Sequence, residues 1–360
     1  MADALNRYYK NKNVLITGGA GSIGSEIART LLGHGVEQIR ILDINEAAQF
    51  ELEQELQSRV HGKRGGPRFL MGDIRDKARM TRALEGIDVV FHAAALKHVP
   101  TCEYNAFEAA KTNVQGTQNV IEAAMGANVE KFVTISTDKA VNPVNVMGAT
   151  KLLAERLTIS TNYFKGDRRT VFSCVRFGNV LGTSGSVVQV FTRQIRDGGP
   201  VTITDPDMTR FVLSTRRAVE LVLKAARMAQ GGEVFIFKMP AVRIGDLAEV
   251  MIEKLAPVYG HKPSEIRAKV GGIRPGEKFH EELMTEEESV WAKETKDMYV
   301  VQPPIELPSF RLRRPGELLH VPLTEAYASK RRKRLVSRDA QMLTKKEIIV
   351  LLKKAKVLPK

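Results

Sequence analysis

The length and composition of this chain exclude several classes of protein. Its 360 residues, 43% of them hydrophobic, can bury a full core, so we expect one large domain or one domain with a smaller lobe. The apolar segments are far shorter than the roughly 20 residues of a transmembrane helix, and the N-terminus is too polar for a signal peptide. We therefore expect a cytoplasmic protein. Cys102 and Cys174 provide neither a disulfide framework nor the spacing of a zinc site, and no metal site is predicted.

The net charge of +14 is distributed unevenly. Residues 306–360 contain 15 Lys and Arg but only 5 Asp and Glu, with the densest run at 330–334. Thr344 and Glu347 form a capping-box pattern, which predicts a helix through Leu352. We interpret the tail as a solvated or subunit-docking extension and expect no nucleic acid partner, although weak contact with an anionic surface is an alternative.

In chain order, the sequence alternates predicted strands and helices. Strands are predicted at 13–17, 38–43, 68–71, 89–92, 132–136 and 171–176, and the first helices at 22–32 and 46–60. This alternation predicts an α/β fold with a doubly wound parallel sheet of the Rossmann type. After residue 178 the pattern becomes irregular and its loops are rich in Gly, Ser, Pro and Thr. That change is typical of a smaller C-terminal lobe that binds substrate.

The turn after the first strand carries the sequence GGAGSIG at residues 18–24. Gly18 permits a tight turn, Gly21 lets the backbone approach a pyrophosphate, and Gly24 lets the helix pack on the strand. The helix that begins at Ser22 and Ile23 would direct its N-terminus at the phosphates. Asp43, at the end of the second strand, would bind the adenosine ribose and repel a 2′-phosphate. The sequence therefore predicts NAD as the cofactor and disfavours NADP.

Residues after the later strands would complete the cofactor site. Asp73 and Ile74 would flank the adenine, and Ala93 and Ala94 would let the backbone pass close to the cofactor. Ser136, near the end of the fifth strand, is also expected to contact it. The predicted organisation is an NAD-binding domain over 1–180, a mainly substrate-binding lobe over 181–300 with some elements returning to the first domain, and a basic extension over 301–360 that ends in a helix.

Three functional side chains lie in sequence at the end of the fifth strand. Thr137, Asp138 and Lys139 bring a hydroxyl, an acid and an amine to the edge where ligands bind in open α/β sheets, and this combination suits an elimination. Lys151 follows on a predicted helical turn that begins at Met147. In short-chain dehydrogenases the corresponding pair is Tyr-x-x-x-Lys, but a methionine cannot exchange a proton.

These motifs, from about residue 13 to 288, resemble those of the extended short-chain dehydrogenase superfamily. Within it, the chain resembles the UDP-N-acetylglucosamine 4,6-dehydratases of polysaccharide and glycan biosynthesis. The methionine at position 147 is similar to the pattern of the larger, membrane-attached members, which carry methionine there. We therefore expect a soluble form of their catalytic domain without the membrane portion. The motifs that carry the resemblance lie at 18–24, 73–74, 93–98, 113, 136–143, 147–151, 176–180, 185–188, 207–211 and 274–278.

The resemblance implies a mechanism that agrees with the side chains present. NAD would take a hydride from sugar C4 and return it to C6, while Asp138 acts as the acid at the C6 hydroxyl and Lys139 as the base at C5. Such a lysine needs a lowered pKa, which desolvation or a neighbouring cation such as Lys151 would supply. Lys151 would also hold the nicotinamide ribose. We expect Thr137, through an ordered water, to handle the C4 hydroxyl. The product would be a UDP-4-keto-6-deoxy-N-acetylhexosamine with C5 either retained or inverted.

The same resemblance assigns the contacts with a UDP-sugar, and a homo-oligomer is expected. Arginines suit these contacts because a guanidinium can bind a phosphate with two hydrogen bonds. The substrate-binding residues expected are Lys97, His98, Asn179, Ser186, Val187, Thr202, Arg210, Arg274 and Glu277.

Three rival functions remain open from the sequence. A UDP-sugar 4-epimerase has no use for an acid and a lysine after the threonine, and it normally depends on the missing tyrosine. A non-catalytic dinucleotide-binding scaffold with a basic tail does not explain the joint presence of Asp138, Lys139 and Lys151. A sugar reductase would need external NADPH, which Asp43 opposes.

Overall fold

The computed structural model describes residues 2–60, 66–183, 185–302, 327–328 and 333–359. Most of the basic run at 330–334 lies outside these ranges. Within them, no helix combines the length and the apolar character needed to cross a membrane.

The strands of the first half lie where the sequence predicts them, to within one residue at each end. Except in β3, where no residue is fully buried, their runs of Val, Ile and Phe are buried in a parallel sheet, which is why they read as nearly continuous apolar segments. The strands are β1 (Asn13–Thr17), β2 (Gln38–Asp43), β3 (Arg68–Met71), β4 (Val89–His92), β5 (Lys131–Thr137), β6 (Val171–Phe177), β7 (Asn179–Leu181), β8 (Val201–Ile203), β9 (Thr209–Ser214), β10 (Val234–Phe237), β11 (Ala241–Arg243), β12 (Ala268–Val270), β13 (Glu282–Met284), β14 (Ala292–Glu294), β15 (Met298–Val301), β16 (Tyr327–Ala328) and β17 (Leu335–Val336).

The helices connect these strands and cover both faces of the large sheet. A π-helical turn at Lys111–Gly116 and 3₁₀ turns at Asp138–Ala140, Pro257–Tyr259, Pro263–Glu265 and Ser337–Asp339 supplement them. The helices are α1 (Ala2–Tyr9), α2 (Ser22–Leu31), α3 (Glu46–Val60), α4 (Lys77–Leu84), α5 (Val99–Tyr104), α6 (Ala106–Ala110), α7 (Thr117–Gly126), α8 (Val146–Phe164), α9 (Val187–Arg196), α10 (Thr215–Met228), α11 (Ile244–Leu255), α12 (Glu286–Val290) and α13 (Lys345–Lys354).

The strand order of the large sheet determines where a ligand can bind. The parallel strands follow the order β3-β2-β1-β4-β5-β6-β10, and β15, β14 and β16 continue the sheet in antiparallel pairings. The chain leaves β1 toward β2 and β3 on one side and places β4, β5 and β6 on the other. Such a reversal opens a crevice at the carboxyl ends of β1 and β4, where ligands bind in doubly wound sheets. The α/β Rossmann-type fold predicted from the sequence is confirmed.

Two apolar layers hold helices against this sheet. One packs α1, α2 and α10 on a face of the sheet through residues such as Leu5, Ile27 and Val222. On this face the hydroxyl of the buried Tyr9 donates to the carbonyl of Leu223 (2.9 Å), which satisfies its polar end. The other layer packs α4 and α7 on the opposite face through residues such as Met80.

A second core lies beyond the large sheet and includes the C-terminal helix. It joins α9, α11 and β8 through residues such as Phe191 and Leu247, and Ile348 and Leu352 of α13 are buried in it. The predicted capping box is present, because the Thr344 hydroxyl accepts from the Glu347 amide and the Glu347 carboxylate accepts from the Thr344 amide. The end of the basic extension therefore packs on this lobe. The boundaries at residues 180 and 300 remain predictions.

Candidate active site

Two neighbouring cavities open at the carboxyl ends of the strands. The first, of about 730 Å³, lies within the usual size of small-molecule sites, ~300 to 1,000 Å³. It is lined by most of the residues predicted to bind the cofactor, together with the predicted substrate residues Lys97 and His98. The predicted residues in this cavity are Gly18, Gly21, Ser22, Ile23, Gly24, Asp43, Asp73, Ile74, Ala93, Ala94, Lys97 and His98.

The glycine turn brings the backbone against the end of β4. Gly18 has a φ of +65°, and a Cβ there would lie 2.6 Å from the amide nitrogen of Ala94, so no other residue fits this position. Helix α2 follows with no side-chain cap and no acidic residue in its first turn. The N-terminal end of the helix therefore favours an anion in the cavity. These features fit the pyrophosphate of a dinucleotide.

Carboxylates at the ends of β2 and β3 bound the far side of this cavity. Asp43 is held in place because it accepts hydrogen bonds from the amides of Ala20 and Asn45, both at 3.0 Å. Each of its oxygens retains a lone pair that could accept from a ribose hydroxyl. Asp73 accepts from Arg75 (2.8 Å), and this contact contributes to a lowered pKa of Asp73 against the opposing effect of its burial.

The predicted catalytic triplet forms one hydrogen-bonded cluster. The Thr137 hydroxyl donates to Oδ1 of Asp138 (2.8 Å), and Nζ of Lys139 donates to the same oxygen (3.0 Å). The Asp138 side chain is 0% exposed, and its Oδ2 has no hydrogen-bond partner among the described residues. A buried carboxylate oxygen without a partner is costly. The cluster therefore has capacity for one more donor.

Lys139 also contacts a second carboxylate, which the sequence analysis did not identify. Its side chain is 25% exposed, and Nζ lies 3.3 Å from Oε1 of Glu281. Burial alone would lower the pKa of Lys139, but the negative charges of Asp138 and Glu281 outweigh that effect and raise the pKa above its ordinary value. The expectation of a lowered lysine pKa is thus wrong for the ligand-free protein.

Lys151 and Met147 lie below the cavities on α8. Nζ of Lys151 donates to the carbonyl of Ile135 (2.7 Å), and burial lowers the pKa of Lys151. The Met147 side chain is 3% exposed and packs with Cys102 and Ala109 in a small apolar cluster. Ser136 is buried beside this helix, and its hydroxyl lacks a partner within the described part of the chain. Ser136 and Lys151, both predicted to contact the cofactor, are not among the residues that line the first cavity.

The loop after β4 is fixed by Asn113 of the π-helical turn. Its side-chain amide accepts from the Leu96 amide (2.8 Å) and donates to the Leu96 carbonyl (2.9 Å). It also donates to the Thr150 hydroxyl on α8 (3.0 Å). Short π-helical turns of this kind often occur at functional sites. Here the turn ties the loop that carries Lys97 and His98 to the helix that carries Lys151.

The second cavity, of about 290 Å³, lies between the triplet and the C-terminal lobe. Arg210 is held in this cavity by several contacts: it donates to the carbonyls of Thr209 (2.8 Å) and Phe279 (3.1 Å) and pairs with Glu277 (3.3 Å). Thr137, Asp138 and Ser186 are not among the lining residues. The predicted residues that line this cavity are Lys139, Asn179, Val187, Thr202, Arg210, Arg274 and Glu277.

Ser186 lies beside this cavity at the N-terminus of α9. Its hydroxyl is buried and has no partner among the described residues, and it does not cap the helix. The helix begins with Val187, which does line the cavity. The uncapped N–H groups and the hydroxyl make this end of α9 favourable for an anionic group.

Several residues of the second cavity were missed from the sequence, and three of them have charged or amide side chains. Asn145, Lys278 and Glu281 all line it. Nζ of Lys278 donates to the Val141 carbonyl (2.5 Å), and burial lowers the pKa of Lys278. Lys278 belongs to the motif at 274–278 and could have been found there, whereas nothing in the spacing of Glu281 connects it with the end of β5.

Comparison with known proteins shows which proteins this chain resembles in sequence. Residues 14–303 match the profile of a family described as polysaccharide biosynthesis protein. The chain is 62% identical over 303 residues to an uncharacterized membrane protein of Methanocaldococcus jannaschii, covering 84% of this chain and 89% of that protein. It is 41% identical over 301 residues to a UDP-N-acetylglucosamine 4,6-dehydratase (inverting) of Campylobacter jejuni, covering 83% and 85%.

Other relatives differ in length or in named activity. The capsular polysaccharide biosynthesis protein CapD of Staphylococcus aureus is 45% identical over 79% of this chain, which spans only 47% of that protein. A protein of Rickettsia rickettsii named UDP-glucose 4-epimerase is 40% identical, covering 81% of this chain and 83% of its own.

Solved structures show the same fold. The protein Pen from Bacillus thuringiensis superposes with a TM-score of 0.86 at 40% identity and covers 98% of this chain and 100% of its own. MoeE5, solved in complex with UDP-glucose and NAD, gives a TM-score of 0.59 at 26% identity and covers 74% and 87%.

Proposed function

The chain belongs to the polysaccharide biosynthesis protein family of extended short-chain dehydrogenases, and from this premise we propose that it is an NAD-dependent UDP-N-acetylglucosamine 4,6-dehydratase. The observation that carries the proposal is the single oxygen of Asp138 shared by the Thr137 hydroxyl and the Lys139 amine. An elimination of water needs a positioned acid and a positioned base, and both lie in this cluster. A cytoplasmic location and a homo-oligomeric assembly are part of the same proposal.

The first cavity would bind NAD. When bound, NAD would supply the redox chemistry by taking a hydride from sugar C4 and returning it to C6. The glycine turn and the N-terminus of α2 would bind the pyrophosphate, and Asp43 would accept from the adenosine ribose. MoeE5, whose structure is similar, was solved in complex with UDP-glucose and NAD, and this supports NAD as the cofactor. Lys151 would give up its hydrogen bond to the Ile135 carbonyl and bind the nicotinamide ribose instead.

The hydroxyl of Thr137 would handle the proton of the C4 hydroxyl. Because Thr137 donates its own hydrogen to Asp138, its oxygen can accept a hydrogen bond from the sugar. As Thr137 takes the proton of the C4 hydroxyl, its own hydroxyl proton would pass to Asp138. Asp138, now protonated, would act as the acid that releases the C6 hydroxyl as water. Met147, in its apolar cluster, would take no part in this transfer.

The second cavity would bind the UDP portion of the substrate. Arg210 and Arg274 would contact the diphosphate, for which the planar guanidinium is suited. Val187 and Ser186 at the start of α9 would supply further donors to an anion. Asn179, Thr202 and Glu277 also line this path and would contact the nucleoside or phosphates, while Lys97 and His98 would approach from the adjoining cavity.

The direct test is to incubate the protein with UDP-N-acetylglucosamine and NAD in deuterated water and to follow proton NMR spectra. We expect loss of the C6 hydroxymethyl signals, appearance of a C6 methyl group attached to C5, a keto group at C4, deuterium at C5, and no net NADH. The epimerase named among the relatives is the second candidate. Formation of UDP-N-acetylgalactosamine without loss of water or deuterium uptake would favour it.

A further inference from the structure

Lys139 lies between two buried carboxylates, and only Asp138 is accounted for by the proposed mechanism. Glu281 is 3% exposed. Its Oε1 is 3.3 Å from Nζ of Lys139 and 3.8 Å from Nε of Arg210. Its Oε2 is buried and lacks a hydrogen-bond partner among the residues that the structure describes. Glu281 is therefore a carboxylate with unused capacity to hold a proton, in contact with the amine that must lose one.

The backbone around Glu281 holds this carboxylate in place. Its amide donates to the hydroxyl of Ser337 (3.0 Å), and the Ser337 amide donates to its carbonyl (2.8 Å). The Ser337 hydroxyl also lies 2.6 Å from that of Thr209. These bonds join three separate segments of the chain directly behind the cluster. The position of Glu281 is thus set by the fold and does not depend on a flexible loop.

A count of protons shows why a second carboxylate is needed. A lysine that removes the C5 proton must first be neutral, but Asp138 and Glu281 favour its ammonium form. In the proposed mechanism Asp138 receives the proton of the C4 hydroxyl through Thr137. It cannot also receive the proton of Lys139. Among the described residues, Glu281 is then the remaining carboxylate in contact with Lys139.

We propose that Glu281 takes the proton of Lys139, so that Lys139 and Glu281 act as a coupled pair in the removal of the C5 proton. This inference rests on the proposed dehydratase function. An N–H bond of the Lys139 ammonium breaks and an O–H bond forms on Glu281, which leaves a neutral amine and a carboxylic acid. The amine then takes the C5 proton, and the electron pair of the C–H bond moves toward the C4 carbonyl. Return of a proton to C5 and of the Glu281 proton to Lys139 restores the pair.

Substrate binding would favour this transfer. The groups that face Lys139 are Asp138, Glu281, Arg210 and Lys278. A diphosphate bound by Arg210 would draw the guanidinium away from Glu281 and so remove a positive charge that stabilises the carboxylate. Exclusion of water from the cavity would also penalise both charged members of the ion pair. Both effects favour the neutral amine and the neutral acid.

The activity test compares Glu281→Gln, Glu281→Asp and the neighbouring control Glu282→Gln. Glu282 accepts from Asn142 (2.8 Å) and lies outside the cluster. With UDP-N-acetylglucosamine, Glu281→Gln should lower kcat at least tenfold near pH 7.5, with KM changed less than about threefold. Its kcat should then rise with pH, since Lys139 must lose its proton to solvent. Glu281→Asp should recover part of the rate, and Glu282→Gln should match the wild type.

Two results of this test would contradict the proposal that Lys139 and Glu281 act as a coupled pair. One is a wild-type rate in Glu281→Gln, and the other is a loss that does not vary with pH. Exchange of the C5 proton with deuterated water adds a further check. If Lys278→Met abolishes that exchange and Lys139→Met does not, the base is Lys278 and the pair is wrong.

A titration separates this inference from the proposed function. The Lys139 signal of protein labelled with ¹³C at lysine Cε is identified by its loss in Lys139→Met, and its pKa is measured without substrate. Glu281→Gln should lower that pKa and Glu282→Gln should not. If the wild type makes no 4-keto product but this difference is found, the dehydratase proposal fails, and only the proton coupling between Lys139 and Glu281 stands. If the pKa of Lys139 is the same in Glu281→Gln as in the wild type, the proposed pair is wrong, whatever the activity of the variant.

Discussion

Arg176 and Glu155 form a bidentate ion pair inside the protein, with Nε 3.1 Å from Oε1 and Nη2 2.7 Å from Oε2. Glu288 contacts the other side of the same guanidinium at 2.9 and 3.0 Å. Arg176 lies on β6 and Glu155 lies on α8, one turn after Lys151. The pair therefore fixes the helix that carries Lys151 against the sheet.

Removing one partner of this buried pair should destabilise the protein strongly. We expect Glu155→Gln to lower the free energy of unfolding by about 3 kcal/mol or more, because a buried guanidinium then lacks full compensation. Urea unfolding measures the change. The control is Glu220→Gln, whose partners Arg216 and Arg217 are on the surface, and it should cost less than about 1 kcal/mol. Equal losses in the two variants would contradict a special role for the buried pair.

Thr137 should matter more for turnover than Met147. Thr137→Val keeps the size of the side chain but removes the hydroxyl that donates to Asp138, so we expect kcat to fall about a hundredfold or more. Met147→Leu preserves the volume of the apolar cluster and should retain most activity. Steady-state rates with UDP-N-acetylglucosamine decide between them. Full activity in Thr137→Val would mean that another group, such as Lys97 or Lys151, handles the C4 hydroxyl.

Isotope exchange should distinguish the role of Asp138 from that of Lys139. Asp138→Asn should lower kcat by about a hundredfold or more by removing the acid, yet it should still allow exchange of the C5 proton with solvent. Lys139→Ala should abolish that exchange. Both variants should bind NAD as the wild type does, as judged by calorimetry. Near-normal turnover in either variant would exclude that residue from the mechanism.

Asp43 should control the choice of dinucleotide. Asp43→Ala removes an acceptor for the ribose hydroxyls and a charge that repels a 2′-phosphate, so NAD affinity should fall more than NADP affinity. Dissociation constants for both dinucleotides, measured on both proteins, provide the comparison. A wild-type preference for NADP would be incompatible with the role given to Asp43.

The buried His92 should make the protein sensitive to acid. Burial, with the charge of Lys151, lowers the pKa of His92 to about 3, and its ring nitrogens bond the hydroxyls of Thr17 (2.7 Å) and Thr117 (2.9 Å). Between about pH 6.5 and 3 the unfolded chain binds a proton at this position that the folded protein does not, so stability falls as the pH falls.

The size of this effect follows from the width of the interval. From pH 6.5 to 5 the contribution of His92 should be about 2 kcal/mol. The slope of the unfolding free energy against pH should therefore be shallower in His92→Gln, by the amount that corresponds to the binding of about one proton on unfolding. Urea unfolding at several pH values measures both slopes. Parallel slopes would show that His92 is not the titrating group.

The sequence predicts the first half of the fold well because local patterns determine it. Apolar strands, the glycine turn and Asp43 are separated by short connections, and the parallel order follows from their alternation. The catalytic triplet is likewise contiguous, so its members had to lie together. The direction of the Lys139 pKa depends on two carboxylates, of which Asp138 has the larger effect and is adjacent in sequence, whereas the contribution of Glu281 comes from a distant segment and was not predictable in this way. The expected cation, Lys151, instead donates to the carbonyl of Ile135.

The hydrogen bonds of Ser337 have a consequence for the order in which the protein matures. Ser337 and β17 hold Glu281 from a segment that is synthesised long after β5. A nascent chain folds from its N-terminus as it emerges, so the glycine turn and Asp43 can form while the support of Glu281 is still missing. A newly made molecule would thus be able to hold a nucleotide before it is able to act on a sugar.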